Sequence, residues 1–137
     1  MNIIIKKLDK KTLTRNLIQI NKITKIGNWK FKDFIINLPC KWEKSLLAYD
    51  TLKNNVAAYA IVSKKKKILH IHLLMVSDKF KRAGVGTKLI NKISNNTKSA
   101  ITVKTFTHLR NTINFYLKNN FKILKFNKKT TLMIKKN

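Results

Sequence analysis

The fold class predicted is α/β in the broad sense that includes α+β: one domain on a single mixed sheet. Three observations predict it. Helix-like and strand-like segments alternate in mixed order, with helices first, then a meander, then a β-α-β-α-β stretch. Ile68 to Val76 is a nearly continuous apolar run, as a central strand covered on both faces requires. No repeat, Pro/Gly/Ser-rich linker or abrupt change of composition divides the 137 residues, 44% of which are apolar, so residues 1–137 are read as one domain.

The elements follow in order. Ile3 to Ile5 predict a short first strand. From Thr12 to Ile26, Leu13, Leu17, Ile20 and Ile23 fall near helical spacing, with Thr12 or Asp9 as the cap and Gly27-Asn28 as the stop. Trp29, Phe31, Phe34, Ile35 and Leu38 predict a second short amphipathic helix, ended by Pro39. Ser45 to Leu52 and Val56 to Ser63 are rich in strand formers, and Lys53-Asn54-Asn55 between them suits a hairpin. Lys64 to Lys67 is read as the solvated turn before the central strand. Val85, Leu89, Ile90 and Ile93 mark a helix, and Ile101-Thr102-Val103 begin another strand. A short helix is predicted from about Asn111 to Lys118. A final hairpin, Phe121 to Phe126 and Thr130 to Ile134, turns through Asn127-Lys128-Lys129.

Composition excludes several classes. No apolar run approaches the roughly 20 residues that span a bilayer, so no membrane partner is expected. The opening Met1-Asn2-Ile3-Ile4-Ile5-Lys6-Lys7 puts apolar residues before the charges and lacks a small-residue cleavage site, so it is not read as a signal peptide. Cys40 is the only cysteine. It permits no internal disulfide, suits a reducing cytoplasmic setting, and is read as a buried small hydrophobe. Three histidines and one cysteine at wide separations show no metal-ligand spacing, and no metal is expected.

The net charge of +26 invites a nucleic-acid reading. Lysine, however, supplies 28 of the 31 basic residues, and Arg15, Arg82 and Arg110 are the only arginines. Base readers lean on arginine for bidentate and stacking contacts. The lysines spread along the whole chain beside abundant Asn and Ile, which favours a compositional bias over a dedicated surface. Weak, non-specific polyanion binding at low salt follows in either case.

Only three glycines occur, and Gly84 and Gly86 stand together between the central strand and a helix. Glycine there lets the backbone turn tightly and approach a ligand, and the free N–H groups of a helix start suit a phosphate. Two familiar phosphate loops are excluded. Gly86 is followed by Thr87-Lys88, the reverse of a Walker A ending, and no earlier glycine fits. A dinucleotide fingerprint needs a third glycine where Leu89 stands, and an acidic residue about 20 positions on, whereas no Asp or Glu follows Asp78.

The loop resembles that of the GNAT acetyltransferases, whose pyrophosphate loop reads Gln/Arg-x-x-Gly-x-Gly/Ala after a strand ending in Val. Here Met75-Val76 is followed by four residues and then Lys81-Arg82-Ala83-Gly84-Val85-Gly86-Thr87-Lys88-Leu89-Ile90, with Lys81 at the Gln/Arg position. A second block, Asn111-Thr112-Ile113-Asn114-Phe115-Tyr116-Leu117-Lys118-Asn119-Asn120-Phe121, is similar to the family's Asn, then Phe-Tyr, then Gly-Phe. Asn120 replaces the glycine, and asparagine is the next-best residue for a positive φ. The gap from Val103 to Asn111 is longer than the family's usual one. The resemblance covers about Ser45 to Phe126.

What the resemblance implies is specific. The sheet would be mostly antiparallel and flanked by helices, with two parallel strands, Ile68–Val76 and Ala100–Phe106, splaying to admit acetyl-coenzyme A as co-substrate. Leu74, Met75 and Val76 would line the pantetheine arm, with backbone groups near Leu74 and Val76 pairing to it. Amides from Arg82 through Ala83, Gly84, Val85 and Gly86 to Thr87 would hold the pyrophosphate, with Lys81, Arg82 and Lys88 adding charge and Asn111 and Tyr116 completing the site. The Val76 N–H is a candidate oxyanion donor. Tyr116 would protonate the departing thiolate; its other reading is a core aromatic. The family's usual glutamate base falls at His70, with His72 on the same face, and a water chain is the alternative. Glu43 and Asp50 could flank the acceptor, and His108 and Arg110 could reach the adenosine end.

The expected function is an acetyl-coenzyme A-dependent N-acetyltransferase working by direct attack in a ternary complex. The amine acceptor is left open among a small molecule, a protein and aminoacyl-tRNA, and the assembly between monomer and homodimer. A second reading is a basic nucleic-acid- or ribosome-binding module on the same fold with lost or altered acyl transfer. A third is a coenzyme-binding regulatory or toxin-like protein acting on the translation machinery.

Overall fold

The structure is a computed structural model and describes residues 1–25 and 29–137. The predicted helix stop at Gly27-Asn28 lies outside the described residues. The strands are β1 (Ile3–Lys7), β2 (Leu46–Asp50), β3 (Asn55–Lys65), β4 (Ile68–Val76), β5 (Ala100–Phe106), β6 (Lys122–Phe126) and β7 (Thr130–Lys135). The helices are α1 (Lys10–Arg15), α2 (Leu17–Ile23), α3 (Phe31–Ile35), α4 (Lys41–Lys44), α5 (Val85–Asn95) and α6 (Arg110–Lys118), and a 3-10 turn covers Asp78–Phe80.

All seven strands form one sheet in the order β1-β2-β3-β4-β5-β7-β6. Among the described residues only β4 and β5 run parallel; every other neighbouring pair is antiparallel. The mixed, mostly antiparallel sheet is therefore as expected. Apolar residues cover both faces. On one face, Val85, Leu89, Ile90 and Ile93 of α5 and Tyr116 of α6 pack on Leu69, Ile71, Ile101 and Val103. On the other, Leu13, Ile20 and Phe34 of the first three helices pack on Leu47, Tyr59, Ile61 and Leu73. Each such fully buried aliphatic side chain contributes roughly 1.5–3 kcal/mol relative to exposure.

The single helix predicted from Thr12 is two helices joined at Asn16. The Asn16 side chain donates to the Thr12 carbonyl at 2.9 Å and competes with the regular ladder. Asp9, not Thr12, is the cap: its carboxylate accepts the Thr12 N–H at 2.8 Å, which holds its pKa below the usual carboxylate value. The second helix is confined to Phe31–Ile35, well before Pro39, and the single turn of α4 follows it. Cys40 starts that turn at φ +60 and is only partly buried, so it is not the enclosed hydrophobe expected. The strand β3 runs on to Lys65, so the turn before β4 is just Lys66-Lys67, with Lys66 at φ +57. Asn120 adopts φ +70, the conformation expected where asparagine stands for glycine.

Among the described residues no helix is long and apolar enough to cross a membrane.

Candidate functional site

The parallel pair provides the opening. β4 and β5 are in register only from Ile68↔Ala100 to Ile71↔Val103, and beyond that the strands part. A bulge sits at the point of separation. Opposite β3, Ile71 pairs with Val62 and Leu73 with Ile61, which leaves His72 as the extra residue. The bulge reverses the sidedness of β4: Leu69 and Ile71 belong to the core under α5, whereas Leu73 belongs to the opposite core. Farther on, the Ser77 N–H donates to the Ala57 carbonyl at 2.8 Å, toward β3. Alternation along the strand then turns the backbone N–H and C=O of Val76 and Leu74 the other way, into the opening.

Two adjoining cavities occupy this region. A groove of about 670 Å³ is lined by Leu74, Met75, Val76, Lys81, Arg82, Gly84, Val85, Gly86, Thr87, Asn111, Phe115 and Tyr116, with Ile23, Lys25, Phe80 and Thr112. The residues expected at the coenzyme thus line this groove, except two: Ala83, which packs against the core, and Lys88. A smaller cavity of about 170 Å³ fills the splay itself, between His72–Met75, Val103–Phe106, Thr112, Tyr116 and Thr130. Tyr116 lines both.

The loop between Val76 and α5 is built for close approach. Gly84 caps the helix at φ +74, and Arg82 also adopts a left-handed φ of +68. The first backbone bond of α5 runs from the Lys88 N–H to the Gly84 carbonyl at 3.0 Å. The N–H groups of Val85, Gly86 and Thr87 therefore have no partner among the described residues, and the helix dipole adds to their pull on an anion. Lys81 bonds to Asp78 at 3.1 Å, and Lys25 pairs with the other oxygen of the same carboxylate. Asp78 is held below its usual pKa by those two lysines and stays ionised. Free donors, missing Cβ atoms and cationic flanks fit a pyrophosphate-bearing coenzyme.

Tyr116 is 3% exposed, with its ring edge-on to Phe115 and to Phe121, each at 5.1 Å between centroids. Its hydroxyl has no hydrogen-bond partner among the described residues, and burial pushes its pKa upward. It is therefore a protonated donor at every physiological pH.

His70 and His72 share a face, as expected, with rings edge-to-face at 4.9 Å. Only His72 lines the splay cavity; His70 lines neither cavity. The Nδ1 of His70 bonds to Thr102 Oγ1 at 2.8 Å, across the closed end of the parallel pair. The Nε2 of His72 bonds to Ser63 Oγ at 2.6 Å. Burial, then the nearby Lys104 charge, lowers the His70 pKa. Burial, then His70 and Lys41, lowers that of His72 to about 4. Both rings are neutral near pH 7.

Some expected neighbours are elsewhere. Asp50 binds the backbone N–H groups of Asn2 and Leu52 at 3.0 and 3.1 Å, and Glu43 lines a separate groove with Lys6, Lys7, Lys44 and Lys92. His108 sits against Phe106, and neither His108 nor Arg110 lines either cavity. Sequence reasoning missed Ser63 and Thr102, which anchor the histidines, and Lys104, Phe106 and Thr130 around the splay. Only strand register brings them in.

Residues 41–123 match the sequence model of the family described as Acetyltransferase (GNAT) domain. No curated protein matches the sequence. Among solved structures, Naa50 of Arabidopsis thaliana in complex with the bisubstrate analogue CoA-Ac-MVNAL superposes with a TM-score of 0.80 at 18% identity, covering 100% of both chains. The ribosomal-protein-S18-alanine N-acetyltransferase of Escherichia coli gives 0.77 at 15% identity, over 98% of this chain and 93% of that one. The PaiA N-acetyltransferase of Thermoplasma acidophilum, in complex with coenzyme A, gives 0.74 at 14% identity over 100% of both. At these identities the likeness is one of fold.

Proposed function

The chain belongs to the GNAT acetyltransferase family, and on that premise we propose that it is an acetyl-coenzyme A-dependent N-acetyltransferase that acetylates a primary amine in a ternary complex. One observation carries the reading. The groove that begins at the unpartnered N–H groups of α5 runs to the splay of β4 and β5, and Tyr116 lines both that groove and the splay cavity.

The residues divide the work. Val85, Gly86 and Thr87 would hold the pyrophosphate through backbone N–H groups, with Lys81 and Arg82 beside them. Leu74 and Val76 would pair with the extended arm through backbone groups facing the opening. When bound, the coenzyme supplies an acetyl group activated as a thioester. The acceptor nitrogen, neutral and held in the splay cavity, forms a bond to the acetyl carbon. The carbon–sulfur bond breaks, and the nitrogen gives up one proton to solvent water, which balances the proton the thiolate later takes from it. The Val76 N–H, turned into the opening, would donate to the acetyl oxygen as negative charge grows there.

The buried Tyr116 phenol donates to the sulfur as the bond breaks. Its raised pKa refines the expected proton transfer. An ordinary thiol titrates near 8.5, below the phenol, so the thiolate leaves stabilised by that hydrogen bond and takes its proton from water. His72, neutral and on the wall of the splay cavity, is better placed than His70 to accept a hydrogen bond from the amine.

Thermal unfolding with acetyl-coenzyme A at moderate salt, with ATP as a polyanion control, tests the coenzyme assignment. At 100 times its dissociation constant the coenzyme should add about 2.7 kcal/mol of stability. An equal shift with ATP, or none with either, contradicts it.

A further inference from the structure

Resting on the acetyltransferase reading, the structure also bears on what the acceptor is. The chain has five carboxylates. Asp9 caps α1, Asp33 accepts the Lys30 N–H at 2.7 Å, and Asp50 binds two backbone N–H groups. Asp78 is paired with Lys25 and Lys81, and Glu43 faces a separate groove. None lines the splay cavity or the coenzyme groove. The charged side chain on the splay wall is Lys104, and the neighbouring histidines feel the positive charges of Lys104 and Lys41.

This field opposes a cationic acceptor. A polyamine would bring several ammonium groups to a wall with no carboxylate to receive them. The reacting amine must also be neutral, and no side chain here is a strong base. At pH 7.5 an α-amine with a pKa of about 7.8 is about one-third neutral, whereas a lysine side chain at about 10.4 is neutral at roughly one part in a thousand. That difference, of the order of 10²-fold, falls on the substrate because the protein does nothing to offset it.

The shape of the site adds the rest. After Val103, β5 has left β4, so its edge along Lys104 and Thr105 is open to an extended backbone. The cavity, at about 170 Å³, is smaller than usual small-molecule pockets, and Leu73, Met75, Val103 and Phe106 make its wall apolar. It suits an amino terminus and one short side chain. Lys104 stands on its wall, and the chain around it carries a net charge of +26.

We propose that the acceptor is the free α-amine of a polypeptide whose first residue is small and apolar and whose next residues are acidic. The peptide lies along the open edge of β5, and Lys104 reads its acidic side chains.

The test uses the full chain, acetyl-coenzyme A and five acceptors at pH 7.5. They are an Ala-Asp-Glu peptide, an Ala-Lys-Lys peptide, an amino-blocked peptide with a single lysine, spermidine and an aminoacyl-tRNA. The acidic peptide should exceed Ala-Lys-Lys by about 10-fold in kcat/KM and the blocked lysine peptide by about 10²-fold. Lys104→Glu should reverse the order of the first two peptides while leaving coenzyme affinity unchanged. Coenzyme affinity, measured alongside by calorimetry, separates the two readings. No coenzyme binding overturns the acetyltransferase assignment itself. Binding with equal or faster acetylation of the blocked lysine, spermidine or aminoacyl-tRNA, or with no turnover of the acidic peptide, overturns this inference alone.

Discussion

The ring of Phe115 rests on Gly86 so closely that a Cβ added there would meet its Cζ at 3.0 Å and a Val76 methyl at 3.4 Å. Gly86 thus joins three pieces of the site: the end of β4, the first turn of α5 and the helix that carries Tyr116. Gly86→Ala must displace the ring, at a cost of about 1–3 kcal/mol. Urea unfolding of Gly86→Ala, Phe115→Leu and the double variant checks the contact. The smaller side chain should recover much of the loss, and strictly additive effects would mean that the two residues do not couple.

Gly84 differs in kind. A Cβ there meets nothing within 4 Å, but its φ is +74. Gly84→Ala should therefore cost only backbone strain, about 1–2 kcal/mol, whereas Gly84→Asn should cost less because asparagine tolerates that conformation. Equal losses for the two variants in thermal unfolding would indicate a steric cause.

Lys41 is 1% exposed, and its Nζ donates to the carbonyls of Phe34 and Ile36 at 2.5 and 2.7 Å. Lys41→Met leaves both acceptors without that donor and should destabilise by about 1.5–3 kcal/mol at pH 7. Burial lowers the Lys41 pKa to about 8 from 10.5. A depressed pKa contributes stability present above the unfolded value and lost as pH falls through the folded one. The gap between wild type and variant should therefore widen from pH 8 toward 10.5. A gap that narrows over that range, followed by urea titration, would reverse the sign assigned to Lys41.

The histidines give a pH prediction of their own. Both pKa values are lowered, to about 4 for His72, so both rings are neutral near pH 7. The limb of kcat/KM near pH 7–8 should therefore belong to the acceptor amine and move when the acceptor is changed. His72→Ala should lower the rate without shifting that midpoint. A limb that shifts or vanishes in His70→Ala would instead make His70 the base.

Much of this was legible before any coordinate. The bounds of β4 and the start of α5 follow from an uninterrupted apolar run and two glycines in a chain that has only three. The turn at Asn120 was readable because so few residues accept a positive φ. What was hidden depends on register or competing local bonds. A run as apolar as Ile68–Val76 carries no alternation, so nothing in it marks His72 as the bulge that brings its ring, rather than that of His70, to the cavity. Asn16 reads as a tolerable helix residue, yet its side chain divides the helix. The open edge of β5 exists because β4 leaves it after Val103 while the distant β7 stays paired along its other side.

The central claim is that Tyr116 acts on the leaving sulfur of a bound coenzyme. Its hydroxyl has no partner among the described residues, while its ring is edge-on to Phe115 and Phe121. The most direct measurement is the rate of acetyl transfer from acetyl-coenzyme A to a saturating amine in wild type and Tyr116→Phe, with coenzyme affinity determined in parallel. The predicted result is a fall in kcat of about 10²-fold with affinity changed by less than about 3-fold. Loss of affinity in step with rate would make Tyr116 a packing residue, and an unchanged rate would remove it from the chemistry.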